Sequence, residues 1–206
     1  MNTMVSKNKI RELTILAMFI AIVAVIVLGA VLAWWQEVAG LRLFAGGLLA
    51  LAAWLLRYDI ARRNARQAGL TRYIALCLLS GYVWLALAGA LGLAGALTPG
   101  SPWRDAAIHA LALGFVFAMV FGHAPIIFPA VARVKIPYHP AFYLPLLALH
   151  GSLLWRVGGG LAGEFAVQRG GAAANAGALL LFIATVLASV VRGRRQRARE
   201  APDATT

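Results

Sequence analysis

The chain has 206 residues and a formal net charge of +12, with 62% apolar and only 13% charged residues. Soluble domains carry about 45–50% apolar and about 25% charged residues, so this balance excludes an ordinary soluble domain and points to the lipid bilayer as solvent. The basic residues lie between or beside apolar runs, which argues against nucleic acid as a partner. The single cysteine, Cys77, cannot form an internal disulfide and reads as a small buried side chain.

A spanning helix needs about 20 mostly apolar residues. In chain order, the first such run is Leu13–Trp35, which closes on two tryptophans suited to a membrane interface. It exceeds the roughly 7–15 apolar residues of a secretory signal core, and no small-residue cleavage site follows, so it reads as a mature span. Val38–Leu56 follows, with Arg42 placed to snorkel. The next connection, "RYDIARRNARQAG", has charges at helical spacing and is expected either to extend the second helix or to lie along the anionic inner surface. Tyr73–Leu97 carries small residues at Ser80, Ala88, Gly92 and Ala96, a stripe where another helix can approach. Ala106–Val131 is long and ends in Pro125 and Pro129. Ala141–Gly163 is interrupted by Arg156 and three consecutive glycines, and Ala172–Val191 is clear.

Six spans place three Lys and Arg before the first run, five in the second loop, two in the fourth loop and five in the tail on one side. Only Arg42, Arg104, Arg156 and Arg169 fall on the other. The positive-inside rule then puts both termini in the cytoplasm. The expected fold is all-α, a polytopic inner-membrane protein with one six-helix domain over residues 1–192 and a disordered basic tail over 193–206.

All four histidines fall between His109 and His150. Ionisable groups inside a bilayer are costly and face the protein interior. At 100° per residue His109 and His123 share one helix face, but about 21 Å separates them, so they belong to different layers. His123 lies ten residues before Arg133, and His150 nine after Ala141. Both are therefore expected about 14–15 Å above the same interface, on neighbouring antiparallel helices. Two facing histidines suit a haem iron or part of a copper site, and interhelical hydrogen bonding alone is the competing account. Arg156, near the depth of His109, is placed to hold a haem propionate or to snorkel outward. His139, in "IPYHPAF", is expected in solvent, as are Glu164 and Gln168. Pro125 cannot donate to the Phe121 carbonyl, so a kink is expected just past His123. The acidic residues all lie at loops or ends, which leaves no buried carboxylate relay. No CxxC, HExxH, GxSxG or phosphate-loop pattern occurs.

"RYIALCLLSGYVWLALAGALGL" followed by "HALALGFVFAMVFGHAPIIFPA" resembles the C-terminal part of the NnrS family over roughly residues 72–130. The matching element is His109-Ala110-Leu111 opening one helix, with Gly122-His123 about one helix length later. Members are polytopic bacterial inner-membrane proteins associated with haem, copper and nitric-oxide stress. They are about twice as long, and here Ala124-Pro125-Ile126-Ile127 follows the Gly-His pair where the family has a basic, threonine-containing stretch. The resemblance implies haem or copper near His109 and His123, and the depth match adds His150 to that b-type haem or copper site. A chain of half the family's length either lacks part of the site or recreates it with a second copy or another membrane subunit. Electron transfer or handling of a small gas follows from that reading. A non-catalytic scaffold or assembly subunit and a small-solute transporter are the alternatives, and no residue pattern settles whether the chain turns anything over.

Overall fold

A computed structural model describes the backbone of residues 2–133 and 136–200, and the side chains of 8–131, 133 and 136–196. Among the described residues the chain is all-α, with no strand. The helices are α1 (Asn2–Leu32), α2 (Glu37–Tyr58), the single turn α3 (Ala61–Asn64) and α4 (Gly69–Leu93). The fourth apolar run is one rod in three parts, namely α5 (Arg104–His109), a π-helical stretch (Ala110–Phe117) and α6 (Ala118–Ala132). A 3₁₀ turn (Pro140–Phe142) leads into α7 (Tyr143–Ala162), and α8 (Phe165–Glu200) closes the chain. Five rods are long and apolar enough to cross a membrane, those within α1, α2, α4, α5–α6 and α8. The sixth, α7, spans 20 residues and carries Arg156.

Successive long helices run antiparallel and meet where glycine removes the side chain. A Cβ on Gly40 would fall on the backbone of Ala33, and one on Gly29 would lie 2.7 Å from the Phe44 Cα. Gly92 opposes Ala45, and Gly89 opposes Leu49, so α2 approaches α4 at Gly92 of the expected stripe, whereas Ala88 packs with Ala106 and Leu153 and Ser80 meets His150 of α7. Gly122 of α6 opposes Cys77, while Gly81 of α4 opposes Met119. Gly159 and Gly171 seat α7 on α8. The bundle therefore has a basic end, which holds the N-terminal segment, the α2–α4 loop, the α6–α7 loop and the end of α8, and an opposite end with the other turns.

Near the basic end the core consists of Tyr73, Cys77, Phe121, Phe142, Leu149, Ala178 and Phe182. Phe121 and Phe182 stack at 3.8 Å with their planes 8° apart. Toward the opposite end Trp84, Ala88, Ala106, Ala110, Leu153 and Val157 form a second cluster. The outer surface of the rods is apolar, and Trp34 and Trp35 at the α1–α2 turn are among the most exposed side chains, as interface anchors would be.

Three expectations change. The "RYDIARRNARQAG" segment does not extend α2, because α2 stops at Tyr58 and Asp59 turns extended. The Asp59 carboxylate accepts from the Ala61 amide at 2.6 Å, which starts the separate turn α3. The irregularity of the fourth rod is the π stretch preceding His123, while Pro125 and Pro129 sit inside α6. Finally, α8 continues through Glu200, so residues 193–200 are helical rather than disordered, and 201–206 lie outside the described residues.

Candidate functional site

The carbonyl that Pro125 strands is that of Phe121, and it is satisfied from elsewhere. The buried Tyr73 hydroxyl of α4 donates to it at 3.3 Å. A freed carbonyl at membrane depth is tolerated when protein covers it, and here the cover comes from a residue 48 positions away.

His150 does not confront His123. Its Nδ1 accepts from the Trp84 indole at 2.9 Å, and its Nε2 lies 2.9 Å from Ser80 Oγ. Indole nitrogen can only donate, so Nδ1 holds the lone pair and the neutral ring carries its proton on Nε2. That proton goes to Ser80, whose hydroxyl donates onward to the Leu76 carbonyl at 2.7 Å. Trp84 is itself seated on Gly114, where any Cβ would overlap its ring. Both imidazole nitrogens of His150 are consumed by α4, and its ring plane lies within 16° of parallel to that of Trp84. His150 also meets α4 about one turn further from the basic end than His123 does, since Gly122 packs on Cys77. The equal depth inferred from counting residues fails by that turn.

His123 and His109 are arranged alike. Each places Nδ1 2.8 Å from the carbonyl four residues earlier, Met119 for His123 and Asp105 for His109. A carbonyl only accepts, so Nδ1 carries the proton and the Nε2 lone pair points away from the helix. Neither Nε2 has a hydrogen-bond partner among the described residues. This is the orientation that second-shell carbonyls impose on metal-bound histidine. The π stretch between the two wide-turns the helix, so the regular 100° count that put them on one face no longer applies.

The opposite end holds a second polar centre that sequence reading missed. Asp105 accepts a fork from Arg156, with Nε at 3.0 Å and Nη2 at 2.8 Å. Gln168 of α8 donates to the same carboxylate at 2.8 Å, and His109 Nδ1 lies 3.2 Å from its other oxygen. Arg156 is thus engaged by a carboxylate and does not snorkel, and Gln168 is half-buried rather than in water. Asp105 ties the fourth rod to α7 and α8. It sits at a helix start, among the acidic residues at loops and ends that suggested no buried relay, and the depth shared by Arg156 and His109 is the signal that was available. His139 is exposed as expected, and its Nδ1 accepts from the Ala141 amide at 3.1 Å. Glu164 is exposed too.

One polar side chain in α8 is stranded. Asn175 is 2% exposed, and neither amide atom has a hydrogen bond. It lies one turn beyond Gly171, which packs on Arg156, and so is level with Ser152, whose hydroxyl is spent on the Leu149 carbonyl. A buried amide without partners costs about 1–3 kcal/mol. Asn175→Ala is therefore expected to leave stability equal or raise it by about 1 kcal/mol, read as the thermal midpoint in detergent. A drop of several degrees would show that the amide is bonded.

No group of three or more His, Cys, Asp or Glu able to hold a metal ion occurs among the described residues. As a fit test for haem or copper, His123 and His109 present a free ring nitrogen. His150 does not, and Arg156 is taken by Asp105. No curated protein matches the chain, and no solved structure does. The chain belongs to DUF8744, a domain of unknown function whose family model matches residues 5–191.

Proposed function

We propose that this DUF8744 protein crosses the inner membrane six times with both termini cytoplasmic, and that it binds b-type haem or copper through His123. The charge distribution supports the topology. Fifteen of the nineteen Lys and Arg belong to the basic end, and α7, although it carries Arg156, neutralises that charge against Asp105.

The observation that carries the cofactor reading is the His123 Nδ1···Met119 carbonyl contact, which fixes the Nε2 lone pair outward inside an apolar rod. An imidazole held this way would be able to ligate a haem iron or a copper ion. His150 is withdrawn from the ligand set, so any further protein ligand would be supplied by a second copy or another membrane subunit. The bound group would supply one-electron or gas-binding chemistry. The chain's own contribution is to hold the ring and exclude water. The likeness of residues 72–130 to NnrS agrees with this assignment.

Protein purified after haem- and copper-replete expression is expected to show a Soret band or stoichiometric copper. His123→Ala should abolish it, and His150→Leu should retain it. Absence of both signals in the parent protein sinks the proposal. The scaffold reading has one observation of its own, the double satisfaction of His150 by Trp84 and Ser80, which is what a purely structural intramembrane histidine does. It prevails if no cofactor is found and His150→Leu lowers the thermal midpoint.

A further inference from the structure

At the basic end, Arg11 of α1, Arg57 at the end of α2 and Arg63 of α3 line one cleft of about 340 Å³. They come from three separate elements, and the break after Tyr58 is what folds Arg63 back toward the other two. The Arg57 guanidinium lies over the Tyr58 ring at 5.2 Å, which stiffens it. Asp59 also lines the cleft, but its carboxylate caps the Ala61 amide. No ion pair to any of the three arginines occurs among the described residues.

The cleft continues into an apolar groove through a shared wall, Ile15. That groove runs between α1 and α2 and is floored by Phe19 and Trp54, with Glu12 at its rim. The rings of Phe19, Trp54 and Tyr58 follow one another at 5.0 and 5.7 Å, and the Trp54 indole donates to the Ile15 carbonyl at 3.3 Å. A cationic cup opening onto an aromatic trough matches one kind of molecule.

We propose that this cleft and groove bind an anionic phospholipid, with its phosphate among Arg11, Arg57 and Arg63 and one acyl chain along Phe19 and Trp54. Three positive charges against the single Asp59 leave net attraction for an anion. Basic pockets between membrane helices hold lipid headgroups in this way. Glu12 disfavours a headgroup seated in the groove itself and so fixes the polarity of the lipid, head toward Arg63 and tail toward Trp54. A free phosphate would use the cup but gain nothing from the groove. The inference rests on the proposed topology only for naming the cytoplasmic leaflet, and it is independent of haem or copper.

The test is native mass spectrometry of the full chain in detergent, with phosphatidylglycerol and phosphatidylcholine of identical acyl chains. One phosphatidylglycerol should be retained, preferred by on the order of 100-fold, with about five-fold from each arginine. The Arg11→Gln/Arg57→Gln/Arg63→Gln variant should lose that preference. Arg192→Gln/Arg194→Gln/Arg195→Gln, which removes equal charge from α8, should keep it. Equal loss in both variants, equal retention of the two lipids, or full displacement by inorganic phosphate overturns the proposal. If the triple variant does not purify, each single substitution should lower the preference about five-fold, and three unchanged preferences overturn it equally.

Discussion

Asp105→Ala is expected to lower the stability of the bundle by about 2–3 kcal/mol. Removing one partner of a buried ion pair costs about 3–5 kcal/mol, because the other charge is left desolvated. About a third of the Asp105 side chain is accessible, against 18% for Arg156, so headgroups and water recover part of that. The loss is specific to the orphaned guanidinium. Asp105→Leu with Arg156→Leu should therefore recover most of it, since an apolar pair replaces a desolvated one. Thermal unfolding of the parent, Asp105→Leu, Arg156→Leu and the double Leu variant in one detergent forms the double-mutant cycle, with Asp105→Ala measured beside it. A double variant no more stable than Asp105→Ala would mean that the carboxylate acts through Gln168 or His109 instead.

Gly171→Val should be at least as damaging, at about 3 kcal/mol, for a different reason. A Cβ at Gly171 would fall on the Arg156 backbone nitrogen and lie 2.6 Å from its Cα. Overpacking costs about 1–3 kcal/mol when side chains can give way, and here the obstacle is main chain. The helices must part, and Arg156 moves off Asp105 as they do. Gly177→Ala, six residues along the same helix, meets nothing within 4 Å and should be neutral or slightly stabilising through helix propensity. Equal midpoints for the two variants would refute close packing of α7 on α8.

Five of the rods could be read directly because apolar run length is a one-dimensional property set by bilayer thickness. Pro125 likewise names the carbonyl it strands. Its answer, Tyr73, could not be read, because nothing in the local sequence says which side chain a neighbouring helix will offer. His150 failed for a related reason. Counting from Ala141 gives a height, but the rotation of α7 is set by packing against α4, and one turn of error separates a ligand from a structural histidine. Ser80 and Trp84 stand one turn apart on α4 with their polar groups toward one point, a pattern that seeing Ser80 only as a small residue conceals. The π stretch has no residue signature at all in "ALALGFVF". The Asp105 centre escaped notice because a carboxylate at a helix start ordinarily faces water.

The length of α8 has a mechanical outcome. Its 36 residues make a rod of about 54 Å, against a hydrocarbon slab of about 30 Å. On the proposed topology the surplus that tilt does not absorb continues past the lipid as helix rather than as a tether. Arg192, Arg194 and Arg195 are carried on it at fixed azimuth and altitude, so whatever meets them encounters a rigid ruled edge whose spacing is set by helical pitch.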